Sequence, residues 1–287
     1  MLPSHFGGSA PGSLKFALTE DDPAVTEETP AQNTPENEVN APLFYTMPEP
    51  LVRTGHKDLK VRPEWDFKFA KDTNTIPITS PEFAMAARHY PIILIGETLV
   101  PVIAVGMVAG MNLFINEDGT WENGFYVPAY ARRYPFILLG KETDERLQIG
   151  VDSKAKSDHA EARALFKEDG EETEAVKLAL TISEQFHQAY LFTAELAKAV
   201  SEAGIVEDRS IEVEVGPDEH ANMGTFKAVS EEKLRELPDE TFLDWRKKGF
   251  LPAIYFHLQS LTTWQNLIDR TAARGEKLNG AGPAANT

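Results

Sequence analysis

Residues 98–116 have the sequence TLVPVIAVGMVAGMNLFIN and carry no charged side chain. As one helix, this stretch would be long enough to cross a bilayer core of about 30 Å. Gly106 and Gly110 interrupt it, as does a proline, and the apolar pieces between them are short and partly β-branched. Such pieces are typical of buried strands joined at glycines. We therefore predict buried strands over 99–105 and 111–115 and no transmembrane segment.

The chain on either side of these strands continues the pattern. Asx-Gly dipeptides end the segments 116–119 and 122–124, and they favour positive φ and tight hairpins. Apolar runs follow at 134–139 and 146–151. Residues 91–151 are therefore predicted to form a meander of short antiparallel strands.

The second half of the chain changes to helical spacing. Between residues 171 and 203, apolar residues form a wide stripe at the period of a helix. Gly204 supplies the left-handed turn that ends a helix, and Ile205 is expected to fold back onto its last turn. Residues 210–215 then alternate strictly between polar and apolar, which predicts a half-exposed strand with a partner at 225–229.

Shorter helices complete the prediction. Ser80 as N-cap and Pro81 in the first helical position favour a short helix over about 80–89. Two more helices are expected at 240–248 and 251–270. A β-rich N-terminal half of short antiparallel strands and hairpins, packed with C-terminal helices, gives an α+β fold class.

The composition excludes several classes of protein. The 287 residues are 42% hydrophobic, which is enough for a core, and the absence of cysteine rules out disulfides, thiolate nucleophiles and zinc–thiolate sites. The formal charge is −17, with −6 in residues 1–44, −10 in 151–250 and only −2 in 45–150. Because this field repels phosphate backbones and anionic lipids, we expect neither a nucleic-acid partner nor a basic membrane anchor.

The two ends of the sequence have the composition of disordered chain. Residues 1–44 are acidic and poor in aromatics, and we predict a disordered acidic arm there and a disordered tail over 273–287. Between them we expect a single α+β domain over 45–272. The N-terminus has neither a basic region nor a sustained apolar region, so the cytoplasm is the default compartment. The alternative is the cell surface, reached by a non-cleaved export route.

Several blocks of sequence resemble, in order, those of the bacterial SapC family. The most specific is YVPAYARRYPF at residues 126–136. The other blocks are HKDL at 56–59, ARHYPI at 87–92, NLFINEDGTW at 112–121 and IYFHLQSL at 254–261. The resemblance extends over roughly residues 45–272.

The resemblance implies a context and no particular activity. The family takes its name from an association with a bacterial surface-layer system, and its members tend to be encoded beside TonB-dependent receptors and oxygenases similar to flavin halogenases or cupins. This implies a role in uptake or tailoring. Because the family has no assigned catalytic residues, none is transferred to this chain.

Two adjacent arginines, Arg132 and Arg133, are the strongest candidates for a binding site. They lie between Tyr130 and Tyr134, and guanidinium forks beside aromatic faces are suited to binding a carboxylate or phosphate. Residues 45–150 are nearly neutral, so a local positive pocket would stand out there. The alternative is that one arginine ties a loop to a core carboxylate while the aromatic rings pack.

The histidines are weaker candidates. His89 and His257 lie in apolar surroundings, where a buried histidine can act as a general acid or base near pH 7 or simply donate a ring N–H to a backbone carbonyl. Glu184 and His187 have the Glu-x-x-His spacing of di-iron carboxylate bundles, but those bundles need the motif twice and here it occurs once. We therefore expect no metal site and no cofactor.

The sequence contains no P-loop, no dinucleotide-binding glycine motif, no His-Glu-x-x-His and no Gly-x-Ser-x-Gly. The leading hypothesis is a non-catalytic binding or accessory protein, with a protein partner, in a surface-layer or TonB-type nutrient-uptake context. One alternative is an enzyme or small-ligand sensor with an anion pocket at Arg132 and Arg133. Another is a surface-layer structural subunit.

Overall fold

A computed structural model describes residues 42–140, 147–216 and 219–280. The chain divides into two compact units, the first comprising Met1–Arg62 and Pro135–Ser183 and the second Pro63–Tyr134 and Glu184–Thr287. The predicted acidic arm lies almost wholly outside the described residues. The single domain expected over 45–272 stays a prediction.

The described residues contain short strands in the first half of the chain and long elements in the second. The strands are β1 (Pro48–Pro50), β2 (Lys60–Val61), β3 (Thr75–Pro77), β4 (Ile92–Ile95), β5 (Val100–Ala104), β6 (Phe136–Leu139), β7 (Gln148–Asp152), β8 (Arg163–Ala164), β9 (Val206–Gly216) and β10 (Glu219–Val229). The helices are α1 (Arg53–His56), α2 (Phe83–Ala86), α3 (Ala129–Arg133), α4 (Glu174–Glu202), α5 (Glu231–Arg235), α6 (Asp239–Lys248), α7 (Phe250–Ser260) and α8 (Trp264–Gly280).

The first unit is built on a three-stranded antiparallel sheet in the order β1-β7-β6, with β2 and β8 forming a separate ribbon. Asp152, at the end of β7, is completely buried, and its carboxylate accepts backbone N–H groups of Thr46, Met47 and Lys154 at 2.8–3.1 Å. These bonds satisfy the buried charge and fix the chain entering β1. The core consists of Leu51, Val61, Phe136, Ile149, Val151, Leu165, Phe166, Val176 and Ala179.

The second unit contains a five-stranded antiparallel sheet in the order β3-β5-β4-β10-β9. Strands β4 and β5 form a hairpin, with Ile92 opposite Ile103 and Ile95 opposite Val100. Antiparallel strands in the first half together with these helices confirm the α+β fold class. None of the helices within the described ranges has the length and apolarity needed to span a membrane.

The uncharged stretch 98–116 forms one of the two strands predicted for it. Strand β5 lies inside the predicted range 99–105. Residues 111–114 form a loop and Ile115 makes only an isolated antiparallel bridge with Trp121, so the second prediction is wrong. The physical reason is a set of tertiary hydrogen bonds to Asn112. Its backbone N–H donates to Lys71 O and its side-chain amide to Ala70 O, at 2.9 and 3.0 Å, so this backbone is satisfied outside any sheet.

The predicted long helix is confirmed as α4, and it stops where glycine was expected to stop it. Gly204 has φ +64°, and its N–H donates to Ser201 O at 3.0 Å. Ile205 is buried, as a residue that folds back onto the last turn should be. The strand pair that follows is also confirmed, although β9 and β10 are each longer than the predicted segments.

Two helix predictions need correction. The helix expected over 251–270 is broken into α7 and α8 by a 3₁₀ turn at Leu261–Thr263, where hydroxyl groups compete for helix carbonyls. Ser260 Oγ donates to His257 O and Thr263 Oγ1 to Ser260 O, both at 2.6 Å. Helix α8 continues to Gly280, into the range for which a disordered tail was predicted.

The other correction concerns the start of the helix near residue 80. The N-cap is Thr79 rather than Ser80, and Glu82 forms the reciprocal half of a capping box. The helix is also shorter than predicted, with a 3₁₀ turn at Ser80–Glu82 followed by the single turn of α2.

Candidate functional site

The block YVPAYARRYPF lies in the second unit up to Tyr134 and contains the short helix α3. Pro128 precedes the helix with extended ψ, and Tyr134 ends it in an extended conformation because Pro135 follows. This turn of helix carries Tyr130, Arg132 and Arg133, and it determines the directions of their side chains.

A buried carboxylate holds the start of α3 in place. Glu82 Oε2 accepts the hydroxyl of Tyr126 at 2.8 Å and the backbone N–H of Ala129 at 2.7 Å. Glu82 Oε1 accepts the backbone N–H and the hydroxyl of Thr79 at 3.0 and 2.8 Å. Glu82 is only 9% exposed, and its two oxygens accept four hydrogen bonds. These bonds compensate for the burial of the carboxylate.

Arg132 is exposed and lies next to Tyr126, one of the residues that Glu82 holds in place. We call Glu82 and its hydrogen-bond partners the anchor. Its Nε donates to Val127 O at 3.2 Å and its Nη2 to the Tyr126 hydroxyl at 3.4 Å. The pKa of Tyr126 is raised by burial and by the charge of Glu82, so the phenol keeps its proton. A hydrogen-bonded chain therefore links the exposed guanidinium to the buried carboxylate through one phenol.

Arg133 points into a different environment from that of its neighbour. Its Cζ lies 4.4 Å from the ring centroid of Tyr130 and 4.1 Å from that of Phe186, so the guanidinium is held between two aromatic faces. Burial raises the pKa of Tyr130, and the positive charge of Arg133 opposes that shift. Tyr134 is buried and stacks on Phe69, with ring centroids 4.2 Å apart.

The four residues of the predicted anion site thus have different contacts. Arg132 is exposed to solvent, whereas Arg133, Tyr130 and Tyr134 pack among aromatic rings. The anion site stays a prediction, and of its four residues Arg132 is the exposed one. Sequence analysis missed Glu82 and Tyr126 as site residues; the Thr-x-x-Glu spacing of residues 79–82 was the available signal for Glu82.

A second aromatic cluster surrounds Tyr90, next to this anchor. The Tyr90 hydroxyl accepts Trp121 Nε1–H at 3.0 Å and donates to the backbone oxygen of Tyr126 at 2.8 Å. Burial raises the pKa of Tyr90. His89 is half-buried, with its ring centroid 5.3 Å from that of Phe125, and burial followed by the charge of Arg88 lowers its pKa.

Arg270 of α8 completes the cluster. Its guanidinium lies over the rings of Phe114 and Phe125, at 4.6 and 4.5 Å. It also forms a bidentate pair with Glu122, with N–O distances of 2.6 and 3.1 Å. The Arg270 guanidinium is therefore engaged in contacts within the protein, and these contacts hold α8 against the segment 114–125.

His257 has a structural environment. It is 2% exposed, and its Nε2 accepts the backbone N–H of Val229 in β10 at 3.0 Å. Ser260, one turn later, accepts the backbone N–H of Ile92 in β4 at 2.9 Å. The two side chains of α7 thus satisfy sheet N–H groups where β10 and β4 share a single register pair. Burial lowers the pKa of His257 to about 4.

Among the described residues, no group of three or more His, Cys, Asp or Glu side chains comes together in a way that could hold a metal ion. Glu184 and His187 lie one turn apart on α4 and belong to no such group. Neither residue is brought to Arg132 or to the Tyr90 cluster by any contact described above.

Comparison with known proteins places nearly all of these residues within the match to one family. The SapC family model matches residues 51–267, which include Glu82, the helix α3, His257 and the Tyr90 cluster except Arg270. No curated protein and no solved structure matches the chain. Since the matched range is most of the sequence and includes every block that resembled the family, the chain belongs to the SapC family.

Proposed function

We propose that this protein is a non-catalytic binding protein that recognises an anionic group of a partner protein through Arg132. The setting that we propose is a bacterial surface-layer or TonB-type nutrient-uptake system, as the family resemblance implies. The observation that carries the proposal is an exposed guanidinium on the short helix α3, whose start is tied to a buried carboxylate.

Positioning is what makes this arginine suited to recognition. A free arginine side chain loses rotamer entropy when it binds, and that loss reduces affinity. Here Val127 O and the Tyr126 hydroxyl already orient the guanidinium, and Glu82 fixes the residues that carry them. A guanidinium presents five N–H donors in a planar fork, which matches a carboxylate or phosphate.

Four groups that could transfer a proton are already committed to the fold, which favours binding over catalysis. Tyr126 and Tyr130 have raised pKa values and hold their protons at neutral pH. Glu82 already accepts four hydrogen bonds. His257 is engaged by the backbone of β10. A general base needs a free acceptor within reach of its substrate, and these groups are committed to the fold.

The test is an affinity pull-down with mass spectrometry from the native host, using the unchanged protein, R132A and R246A. Arg246 is an exposed arginine on α6 and is the matched control for loss of one surface charge. We expect a stoichiometric partner with the unchanged protein and with R246A, and at least a tenfold weaker interaction with R132A. Recovery of no stoichiometric partner, or equal binding by R132A, would falsify the proposal.

A small-ligand sensor is the second candidate. An exposed, ordered guanidinium can donate hydrogen bonds to a small carboxylate or phosphate as readily as to an anionic group on a protein. Titration with citrate and with inorganic phosphate distinguishes the two functions. A sensor requires saturable binding that R132A removes and R246A retains. Binding that is the same in both variants is nonspecific and counts against the sensor.

A further inference from the structure

The strand pair β9 and β10 extends beyond the sheet to which it belongs. Strand β10 pairs with β4 at the single position Lys227–Leu94, and β9 is the last strand in the order β3-β5-β4-β10-β9. From the pair Ser210–Thr225 outward, the two strands pair only with each other among the residues that the structure describes. A two-stranded ribbon is marginally stable in water by itself, so a third strand would stabilise it.

Both faces of this ribbon are exposed near its middle. Successive residues of a strand point to opposite faces, and Asp208, Arg209 and Ser210 are all exposed. Thr225, the register partner of Ser210 on β10, is exposed as well. Neither face of the ribbon is therefore buried at this point.

The hydrogen bonds at the start of β9 show which of its backbone groups face outward. Ser230 N–H donates to Ile205 O at 2.8 Å, so the odd-numbered residues of β9 share hydrogen bonds with β10. The N–H and C=O groups of the even-numbered residues therefore point away from β10. Val206 agrees with this direction, because its O accepts Lys233 Nζ at 3.0 Å.

Beyond Val206, the open edge of β9 is formed by Asp208, Ser210 and Glu212. Between Asn222 and Thr225 the register shifts by one residue, and the extra residue lies in β10, so this part of β9 stays regular. Residues 206–214 also contain no proline and no lysine, which are common protections of an edge. A regular edge of this kind is a template for pairing with another strand.

The charges along this edge determine which strand can pair with it. Arg209 pairs with Glu207, and Lys227 pairs with Asp208, at N–O distances of 2.6 and 2.8 Å. Glu212 is exposed and forms no ion pair within the described part of the chain. Another glutamate follows two residues later in the sequence. The edge therefore has an uncompensated negative charge.

A second copy of this chain does not fit the edge. If two copies of β9 paired about a two-fold axis at Ser210, Asp208 would lie opposite Glu212. An axis at Glu212 would place this residue opposite itself, and an axis at Ile211 would place Asp208 opposite Glu214. Like charges directly opposite each other destabilise a sheet. The acidic residues 1–44 of this chain have the same sign of charge and are disfavoured for the same reason.

We propose that the outer edge of β9 binds an extended segment of a partner protein as an added strand, with lysine or arginine at alternate positions of that segment. Hydrogen bonds to the backbone of Asp208, Ser210 and Glu212 hold the segment, and a basic side chain opposite Glu212 selects it. The added strand supplies the third strand of the ribbon. This site is distinct from the site proposed at Arg132.

The first test compares three fluorescein-labelled peptides, KVKVKVK, EVEVEVE and KPKPKPK, by fluorescence anisotropy with the full chain. We expect saturable binding of KVKVKVK and at least tenfold weaker binding of EVEVEVE, because its charges repel the edge. KPKPKPK has the charge of the first peptide but proline lacks the N–H of a strand, and we expect its binding to be at least tenfold weaker too. Absence of KVKVKVK binding, or equal affinity for KVKVKVK and either control, overturns the proposal.

Two substitutions of Ser210 locate the site. S210P removes an N–H that points away from β10, a position where an edge strand tolerates proline, and S210V retains this N–H. We expect at least a tenfold loss of KVKVKVK affinity in S210P and no loss in S210V. Far-ultraviolet circular dichroism checks that S210P is folded. Equal affinity in the two folded variants overturns the proposal.

Amide hydrogen exchange, resolved by NMR, tests the site in the unchanged protein. We expect a saturating concentration of KVKVKVK to slow exchange at Asp208, Ser210 and Glu212 by at least tenfold, because each N–H gains a hydrogen bond. Binding without protection of these three amides overturns the proposal. R132A should bind KVKVKVK as the unchanged protein does, so this proposal and the one for Arg132 can fail independently.

Discussion

At the scale of single residues, the carboxylate of Glu82 has the largest influence on the candidate site. It joins the cap of the turn at Thr79 to the start of α3 at Ala129, and it fixes the phenol on which Arg132 rests. Residues 47 positions apart in sequence are held together by one side chain. Its loss is therefore expected to affect both stability and the position of Arg132.

Substitution of Glu82 by glutamine tests this role. Whichever way the amide is turned, its NH₂ group faces a backbone N–H, of Ala129 or of Thr79. We expect E82Q to lower the free energy of unfolding by about 2–3 kcal/mol. Y126F loses the hydrogen bond to Glu82 and the exposed one from Arg132, and we expect it to lower this free energy by about 1–2 kcal/mol. R132A should change it by less than about 0.5 kcal/mol. Urea denaturation measures all three, and a loss in R132A as large as that in E82Q would contradict this order.

The stability of the protein should depend on the protonation of His257. Its pKa is about 4 in the folded protein and about 6.5 in an unfolded chain, so the unfolded state binds a proton first as the pH falls. The contribution of this residue is complete above pH 6.5 and is lost between pH 6.5 and about 4. The full loss is about 3 kcal/mol.

Comparison with H257Q isolates this effect from the other titrating groups. We expect the free energy of unfolding of the unchanged protein to fall more steeply with decreasing pH than that of H257Q. The difference between the two slopes corresponds to the uptake of at most one proton on unfolding. The variant is expected to be less stable at pH 7, because it changes the partner of the Val229 N–H. Denaturant titrations at several pH values give both slopes, and parallel slopes would show that His257 is not the responsible group.

At the scale of elements, the glycines of the stretch 98–116 have different roles. Gly110 has φ +75° and open space where a Cβ would be, so only its backbone conformation requires glycine. A Cβ on Gly106 would lie 1.9 Å from the backbone oxygen of Met111. The chain reverses here so closely that only hydrogen fits, and Leu113 N–H donates to Val105 O across the reversal.

Alanine substitutions separate these roles. G110A should lower the free energy of unfolding by about 1 kcal/mol through left-handed strain. G106A should lower it by about 3 kcal/mol or more, because the backbone itself must move. Thermal unfolding of both variants measures the difference. If the two losses were equal, the close approach at Gly106 would not be important for stability.

At the scale of the whole molecule, the chain has two compact units, and the prediction of a single domain requires that both units unfold together. All four tryptophans, Trp65, Trp121, Trp245 and Trp264, belong to the second unit. Tryptophan fluorescence therefore reports on that unit, whereas far-ultraviolet circular dichroism reports on both. The helix α4 begins in the first unit and ends in the second.

We expect the two signals to give coincident urea transitions with one midpoint, as a single cooperative domain requires. Separate midpoints would mean that the units unfold independently and would remove the prediction of one domain over 45–272. The variant G106A, which lies in the second unit, is a useful control. In a single domain, it should shift both transitions by the same amount.

The amino-acid sequence by itself determined the types of most elements and the family. Helix α4 and its stop at Gly204, the strand pair β9 and β10, and strand β5 follow from periodicity and glycine signals that act over a few residues. The family blocks are likewise contiguous, and the family match extends over all of them. Local patterns are sufficient for such features, because the physical cause lies within the same segment.

Only the tertiary structure decided which residues of the site face solvent. Arg132 and Arg133 are equivalent in sequence, yet one is exposed above Tyr126 and the other lies between Tyr130 and Phe186 of α4. Arg270 forms an ion pair with Glu122, which is 148 positions away in the sequence. Asn112 donates a hydrogen bond to Ala70 O, outside any sheet. The physical reason is that side-chain partners and burial depend on packing between distant segments, which no local period or spacing specifies.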